Sequence, residues 1–327
     1  MIRYFQSGYL SRYIVIFILA VVFWTPSFIV QTNSGGISLP FYQLLSWIAG
    51  NNYYILISVA FSIVLFSSLI INYLCTEIGI SAKISMLGSF LFIIVASALT
   101  FYTEMSPFIW VNLLLLLMLR LLYFFPASNN HIADSFNAGF LVGVASLFFA
   151  QAILFVFLIW MAFFIHRSGS WRNYLVALIG AIMPHIFALT WYFWNDRTDE
   201  FINLWSNLFD YSGLSAFLQM NTMDSIVLIF LAVLVIFSMF HSFSKIRKKS
   251  INVRRNLQIT LYFLLFSILI VFLSGNVSSI QLFIVPSSII LVHSFNELKR
   301  GRLVNILLTV FIGLIIVNQF LKLIVLF

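Results

Sequence analysis

Nine carboxylates stand against 17 Lys and Arg in 327 residues, so each charge in or beside an apolar run is a lead for chemistry. Glu104 lies just ahead of Ser106 and Pro107 in TFYTEMSPF, between two apolar runs. There it could serve as a base that deprotonates an acceptor hydroxyl, or simply start the next helix, where the dipole favours a negative charge. Asp196, Arg197, Asp199 and Glu200 follow another apolar run directly. Asp196 is a second candidate carboxylate and Arg197 a candidate for holding a phosphate. A solvated charge cluster and an oxygen site for a divalent cation are the other readings of the same residues. Arg120 sits late in LLLLLMLRLLYFF. A charge in hydrocarbon costs roughly 2.5–3.5 kcal/mol on insertion scales, so it either snorkels to the headgroups or binds a lipid phosphate through its planar fork. His185 follows Pro184 inside an apolar run. Proline frees a backbone carbonyl that a neutral imidazole can bond, which makes His185 a kink support or a proton relay. Glu104 and Asp196 are thus the catalytic candidates, and Arg197, Arg120 and His185 the substrate-binding ones.

Other chemistry is unsupported. The chain has no GxxxxGK[ST], GxGxxG, HExxH or GxSxG pattern, and Cys75 is its single cysteine. No cofactor and no metal site are therefore expected. His131, His166, His241 and His293 fall at the inner ends of apolar runs, where polar side chains beside headgroups are ordinary.

These residues need positioning, and composition says by what. Hydrophobic residues make up 62% of the chain and charged residues 8%. A soluble domain carries about 25% charged residues, so most of this surface must face lipid. The apolar runs lack the two-residue alternation of barrel strands, which predicts an all-α integral membrane protein. Eleven spans are expected: Tyr13–Val30, Tyr53–Leu74, Ile84–Phe101, Pro107–Phe125, Phe136–Ala150, Ala152–Ile165, Tyr174–Trp194, Ser225–Phe243, Leu257–Ser274, Ile280–Phe295 and Leu303–Val325. The first run has no small-residue cleavage site and reads as a retained helix. With the N-terminus in the cytoplasm, 15 basic residues fall inside and only Arg197 and Lys322 outside, and the C-terminus ends outside. The fifth and sixth runs, separated by Gln151, must form a hairpin, since one continuous span would move the basic cluster Lys245–Arg255 outside. The net charge of +8 is thereby a topology signal and not a nucleic-acid footprint. The loop Ser244–Asn256 serves first as that signal and second as a contact for anionic lipid or an acidic partner.

Two outer segments, Gln31–Asn52 and Asn195–Asp224, are expected to carry interfacial helices. In the second, Phe201, Leu204, Trp205, Leu208 and Phe209 form the apolar stripe. Gly139 and Gly143 form a GxxxG that reads as internal helix packing. The whole chain is expected to be one polytopic domain: a helical module over residues 1–195, an outer loop over 196–224 and a C-terminal bundle over 225–327.

The order of these elements resembles the membrane half of the GT-C glycosyltransferases, which use polyprenyl-phosphate-linked sugars. The resemblance rests on LTFYTEMSPFIWVNLLLLLMLRLLYFF (Leu99–Phe125) and on the Gly-containing stretch Ala138–Phe187. As a whole the chain also looks similar to uncharacterised multi-pass proteins of the bacterial inner membrane. The resemblance implies sugar transfer from a polyprenyl phosphate at the outer leaflet, with membrane lipids and other envelope proteins as partners. GT-C enzymes place an acid in the first outer loop, whereas residues 31–52 contain no Asp or Glu. Either Glu104 or Asp196 takes that role, or the chain is a non-catalytic subunit scaffolding an envelope assembly or secretion complex. A transporter ranks last, because Pro184 and Pro286 do not lie in matching halves.

Overall fold

Backbone amides in an apolar medium must pair within the chain, and helix does this segment by segment. In the computed structural model every described element is an α- or 3-10 helix. The structure describes residues 2–5, 10–30, 41, 50, 52–81, 85–104, 106–167, 169–206, 220–245, 249–297 and 301–324. After a single turn at Ile2–Phe5, the α-helices are α1 (Leu10–Ile29), α2 (Tyr53–Glu77), α3 (Leu87–Ala96), α4 (Pro107–Phe124), α5 (His131–Ser146) and α6 (Phe155–His166). They continue as α7 (Trp171–Trp194), α8 (Thr198–Ser206), α9 (Thr222–Lys245), α10 (Ile251–Ser274), α11 (Ile284–Glu297) and α12 (Gly301–Ile324). Among the described residues, seven helical runs are long and apolar enough to cross a membrane, and shorter apolar runs lie at Leu87–Ala96, Ala150–His166 and Asn305–Leu321. The chain is a multi-pass helical membrane protein by these criteria.

Contacts sort the molecule into two ends. At the first, the Met86 N–H donates to the Phe5 carbonyl, Asn296 Nδ2 to Ile80 O, and Arg255 to His166 O. At the second, the Tyr53 hydroxyl donates to Ser27 O and Thr100 meets Asp224. Phe125, at the end of α4, touches both His131 at the start of α5 and Phe163 near the end of α6. Near the start of α4, Phe108 and Trp110 meet Phe149 and Phe148, which lie between α5 and α6. Helices α5 and α6 therefore fold as a hairpin. Among the described side chains, the cations Arg12, Arg120, Arg167, Arg172, Lys245, Lys249, Arg254 and Arg255 stand at the first end of their helices, and Arg197 at the second.

Glycines hold α5 against α7. A Cβ on Gly139 would lie 1.9 Å from the Ala177 carbonyl oxygen, and one on Gly143 2.3 Å from that of Ala181. Gly180 returns the contact, with 2.3 Å to Phe136 O. The two helices run parallel with their backbones touching, so the GxxxG packs within the protein.

Several expected boundaries shift. The third run is α-helical only over the ten residues Leu87–Ala96, about 15 Å of rise, and after a turn it ends in the 3-10 helix Thr100–Thr103, while Ile84 lies outside the described residues. The fifth helix starts at His131 because Asn130 caps it, its Oδ1 accepting from Ala133 N at 3.2 Å. The sixth run begins as a 3-10 turn, Ala150–Leu154, and the tenth as another, Val277–Phe283. The first outer segment lies almost wholly outside the described residues. In the second, α8 packs Phe201 against Tyr192 at 5.5 Å, while Leu208 and Phe209 lie outside the described residues.

Candidate functional site

Helix α3 stops where Pro107 dictates the next start. Proline fits the first position of α4, and Ser106 before it is extended, as a residue preceding proline prefers. Between lie the 3-10 turn Thr100–Thr103 and the extended Glu104. A second interruption faces this one. Helix α10 ends at Gly275 in the left-handed region (φ 58°), and Val277–Phe283 follows as a 3-10 turn.

Interrupted backbone inside an apolar protein needs substitute partners, and carboxamide side chains supply them. Gln319 Nε2 donates to Ser97 O at 2.9 Å and Leu99 O at 3.0 Å, and Asn318 Nδ2 to Ala98 O at 3.3 Å. Gln281 Nε2 donates to Phe101 O at 2.9 Å, while its Oε1 accepts from Ser106 Oγ at 2.9 Å. The Tyr102 hydroxyl donates to Ile280 O at 2.9 Å and Asn112 Nδ2 to Gln281 O at 3.0 Å, so each broken stretch also serves the other.

Asp224, in the first turn of α9, is the charged member of this network and is 4% exposed. Its Oδ1 accepts from Thr100 N at 2.9 Å and from Asn318 Nδ2 at 2.8 Å, and its Oδ2 from Thr100 Oγ1 at 2.6 Å. Three donors and the N-terminal end of a helix dipole are what an ionised carboxylate requires away from water. Ser27 Oγ lies 2.7 Å from Thr103 Oγ1, which also donates to Gln319 Oε1 at 3.2 Å, so α1 and α12 close on the same turn. Beside it lies a small cavity of about 20 Å³, lined in part by Ser67, Tyr102, Asn112 and Gln281 and with room for one water.

The residues expected to act are distributed around this core. Glu104 is half-buried at the exit of the turn that Asp224 holds. His185 Nε2 is 2.8 Å from Ser146 Oγ, and its ring meets Trp205 edge-on at 4.7 Å. Ser146 Oγ is also 2.7 Å from Gly143 O, and His185 Nδ1 is buried without a partner. Asp196 is exposed beyond α7 with φ 54°. Arg197 is exposed and forms a bidentate pair with Glu200, at 2.8 and 2.6 Å, which draws the Glu200 carboxyl below its usual range. Arg120 lies exposed at the far end of α4, its guanidinium 5.9 Å from the Tyr73 ring centre. Glu104, His185, Asp196 and Arg197 thus share the second end, and Arg120 belongs to the first. Among the described residues no group of His, Cys, Asp and Glu is arranged to hold a metal ion.

Asp224 was legible only as the last acid of an outer loop. A signal for it exists in IIVNQFL, where Asn318 and Gln319 interrupt the apolar last helix and need buried partners.

A model of a family described as a family of unknown function, DUF6427, matches residues 13–327. No curated protein and no solved structure matches the chain.

Proposed function

Since the chain belongs to that family, DUF6427, its activity rests on its own residues, and we propose that it transfers a sugar from a polyprenyl-phosphate donor at the outer leaflet of a bacterial inner membrane. In this reading the chain crosses the membrane eleven times, with the N-terminus in the cytoplasm and the C-terminus outside. The clustering of cations at one end of the helices and the reversal at the α5–α6 hairpin support that threading.

The observation that carries the reading is the setting of Glu104. Asp224 is sealed by its three donors, and Asp196, Asp199 and Glu200 are exposed. Among the described carboxylates of this end, Glu104 alone is half-buried and built into an interrupted helix. As general base it takes the proton of an acceptor hydroxyl. The oxygen attacks the anomeric carbon, the bond from that carbon to the phosphate oxygen breaks, and polyprenyl phosphate leaves with the negative charge. Asp196 is the second carboxylate and Arg197 the cation for the departing phosphate, reached by exchanging Glu200 for it. His185 is the substrate-binding imidazole of this end, and Arg120 holds lipid phosphate at the opposite headgroups.

A non-catalytic scaffold for an envelope assembly is the second reading, favoured by the absence of any acid in residues 31–52. Glu104→Gln and Asp196→Asn variants, expressed at normal level in the native cell, separate the two. Transfer predicts loss of one envelope glycan by mass spectrometry in Glu104→Gln. An unchanged glycan profile in both variants, with co-purifying envelope proteins in mild detergent, sinks the enzyme reading. For the threading, Cys75→Ser gives a cysteine-free background, and Asp199→Cys and Ser250→Cys must label from opposite sides.

A further inference from the structure

Away from the interrupted helices, a second group of polar side chains gathers where α9, α10 and α11 meet at the basic end. Glu297 closes α11 and is its one carboxylate: Lys249 Nζ pairs with Glu297 Oε1 at 2.5 Å, and Lys245 Nζ donates to the Glu297 carbonyl. Lys245 bonds a backbone oxygen, so among the described residues the two lysines share the single Glu297 carboxylate. Two histidines back the lysines. His293 is 0% exposed, with Nδ1 2.9 Å from Ser242 Oγ, and its Nε2 is buried without a partner. His241 Nε2 is likewise buried and unpartnered. Ser242 Oγ occupies the Nδ1 side of His293, so the position that lacks a partner is Nε2. Buried polar atoms nearly always have a partner, so an unpartnered imidazole nitrogen marks a place where a polar group belongs.

Among the described residues, two lysines, one carboxylate and unpartnered imidazole nitrogens make a corner with more cations than anions. Its outer wall says what kind of anion fits there. Phe237 and Phe240, on the turn of α9 before His241, are 48% and 74% exposed, and Phe237 stacks on the His241 ring. A free inorganic ion has no use for that apolar strip, whereas an acyl chain does.

We propose that Lys245, Lys249, His241 and His293 form a binding site for the phosphate of an anionic lipid, whose acyl chains run along Phe237 and Phe240. In this site His293, as its Nε2–H tautomer, and the Lys245 ammonium donate to the phosphate oxygens, and Lys249 moves from Glu297 towards the anion. The site lies at the opposite end from Glu104 and does not depend on the sugar-transfer reading.

Thermal unfolding of the full purified chain in detergent, with added short-chain phosphatidylglycerol, phosphatidylcholine or inorganic phosphate, tests this. Phosphatidylglycerol is expected to raise the melting temperature in a saturable way, while the zwitterionic lipid does not. The apparent affinity should fall about tenfold in Lys245→Gln and in His293→Gln, the loss of one charge-assisted bond. Thr309→Ser, on the exposed surface of α12, should bind as the parent does. A variant too unstable to melt is replaced by the parent titrated with phosphatidylglycerol against phosphatidylcholine, where equal shifts overturn the site. Unchanged affinity in both variants also overturns it. A shift by inorganic phosphate matching that of the lipid overturns the lipid as occupant and leaves a free-phosphate site.

Discussion

Thr100 and Asp224 stand 124 residues apart in the chain and are joined twice, through the Thr100 amide at 2.9 Å and its hydroxyl at 2.6 Å. The pairing ties the interrupted third run to the first turn of α9 and fixes where Glu104 emerges. Asp224→Ala would remove the shared acceptor of the Thr100 amide, the Thr100 hydroxyl and Asn318 Nδ2. Hydrogen bonds in membrane proteins average about 0.6 kcal/mol, because the unfolded chain in lipid also finds partners. Three such bonds, one carboxylate, give an expected loss of about 2 kcal/mol in reversible unfolding. Thr100→Val keeps the amide and should lose about half as much. Equal losses would contradict the double attachment.

Gln319→Leu removes the donor shared by Ser97 O and Leu99 O without changing volume greatly. The expected cost is about 1 kcal/mol, with faster amide exchange confined to the segment from Ser97 to Ser106. Uniform exchange across the protein would show that the side chain does not hold that segment.

Gly139→Ala should destabilise by about 2 kcal/mol or more, since its Cβ meets the Ala177 carbonyl oxygen at 1.9 Å and only separation of α5 from α7 relieves it. Gly313→Ala, in α12, meets nothing within 4 Å and should stabilise by about 0.5–1 kcal/mol through helix propensity. Melting temperatures of the pair in one detergent check the contrast.

Acid should loosen α8 selectively. Arg197 donates to both Glu200 oxygens and lowers that carboxyl's affinity for protons in the folded state. The pairing therefore supports the fold above the ordinary Glu range and is lost as pH falls through the depressed folded value. Hydrogen exchange over Thr198–Ser206 should accelerate in that acidic window in the parent. In Glu200→Gln it should be fast already at neutral pH, and a parent insensitive to acid would remove the pair from the account.

The all-helical membrane class was legible because it follows from composition: with 8% charged residues the chain cannot coat itself for water. The hairpin of the fifth and sixth runs was legible from charge asymmetry, and the GxxxG at Gly139 from spacing, both properties of local sequence. Helix interiors at Leu87–Ala96 and Phe155–His166 were overextended, because apolar residues continue past the point where the backbone leaves the helix. Hydropathy records what the side chains are and not which amide pairs with which carbonyl.

Sequence alone determined that this chain is a bundle of apolar helices with its basic residues gathered towards one end, because lipid imposes that pattern residue by residue. Only the tertiary structure decided that Asp224, Asn318 and Gln319 serve the gap after Ala96, and that His293 waits beside Lys245. Those pairings join segments 50 to more than 200 residues apart, and their energy depends on distance in space, which no local pattern encodes.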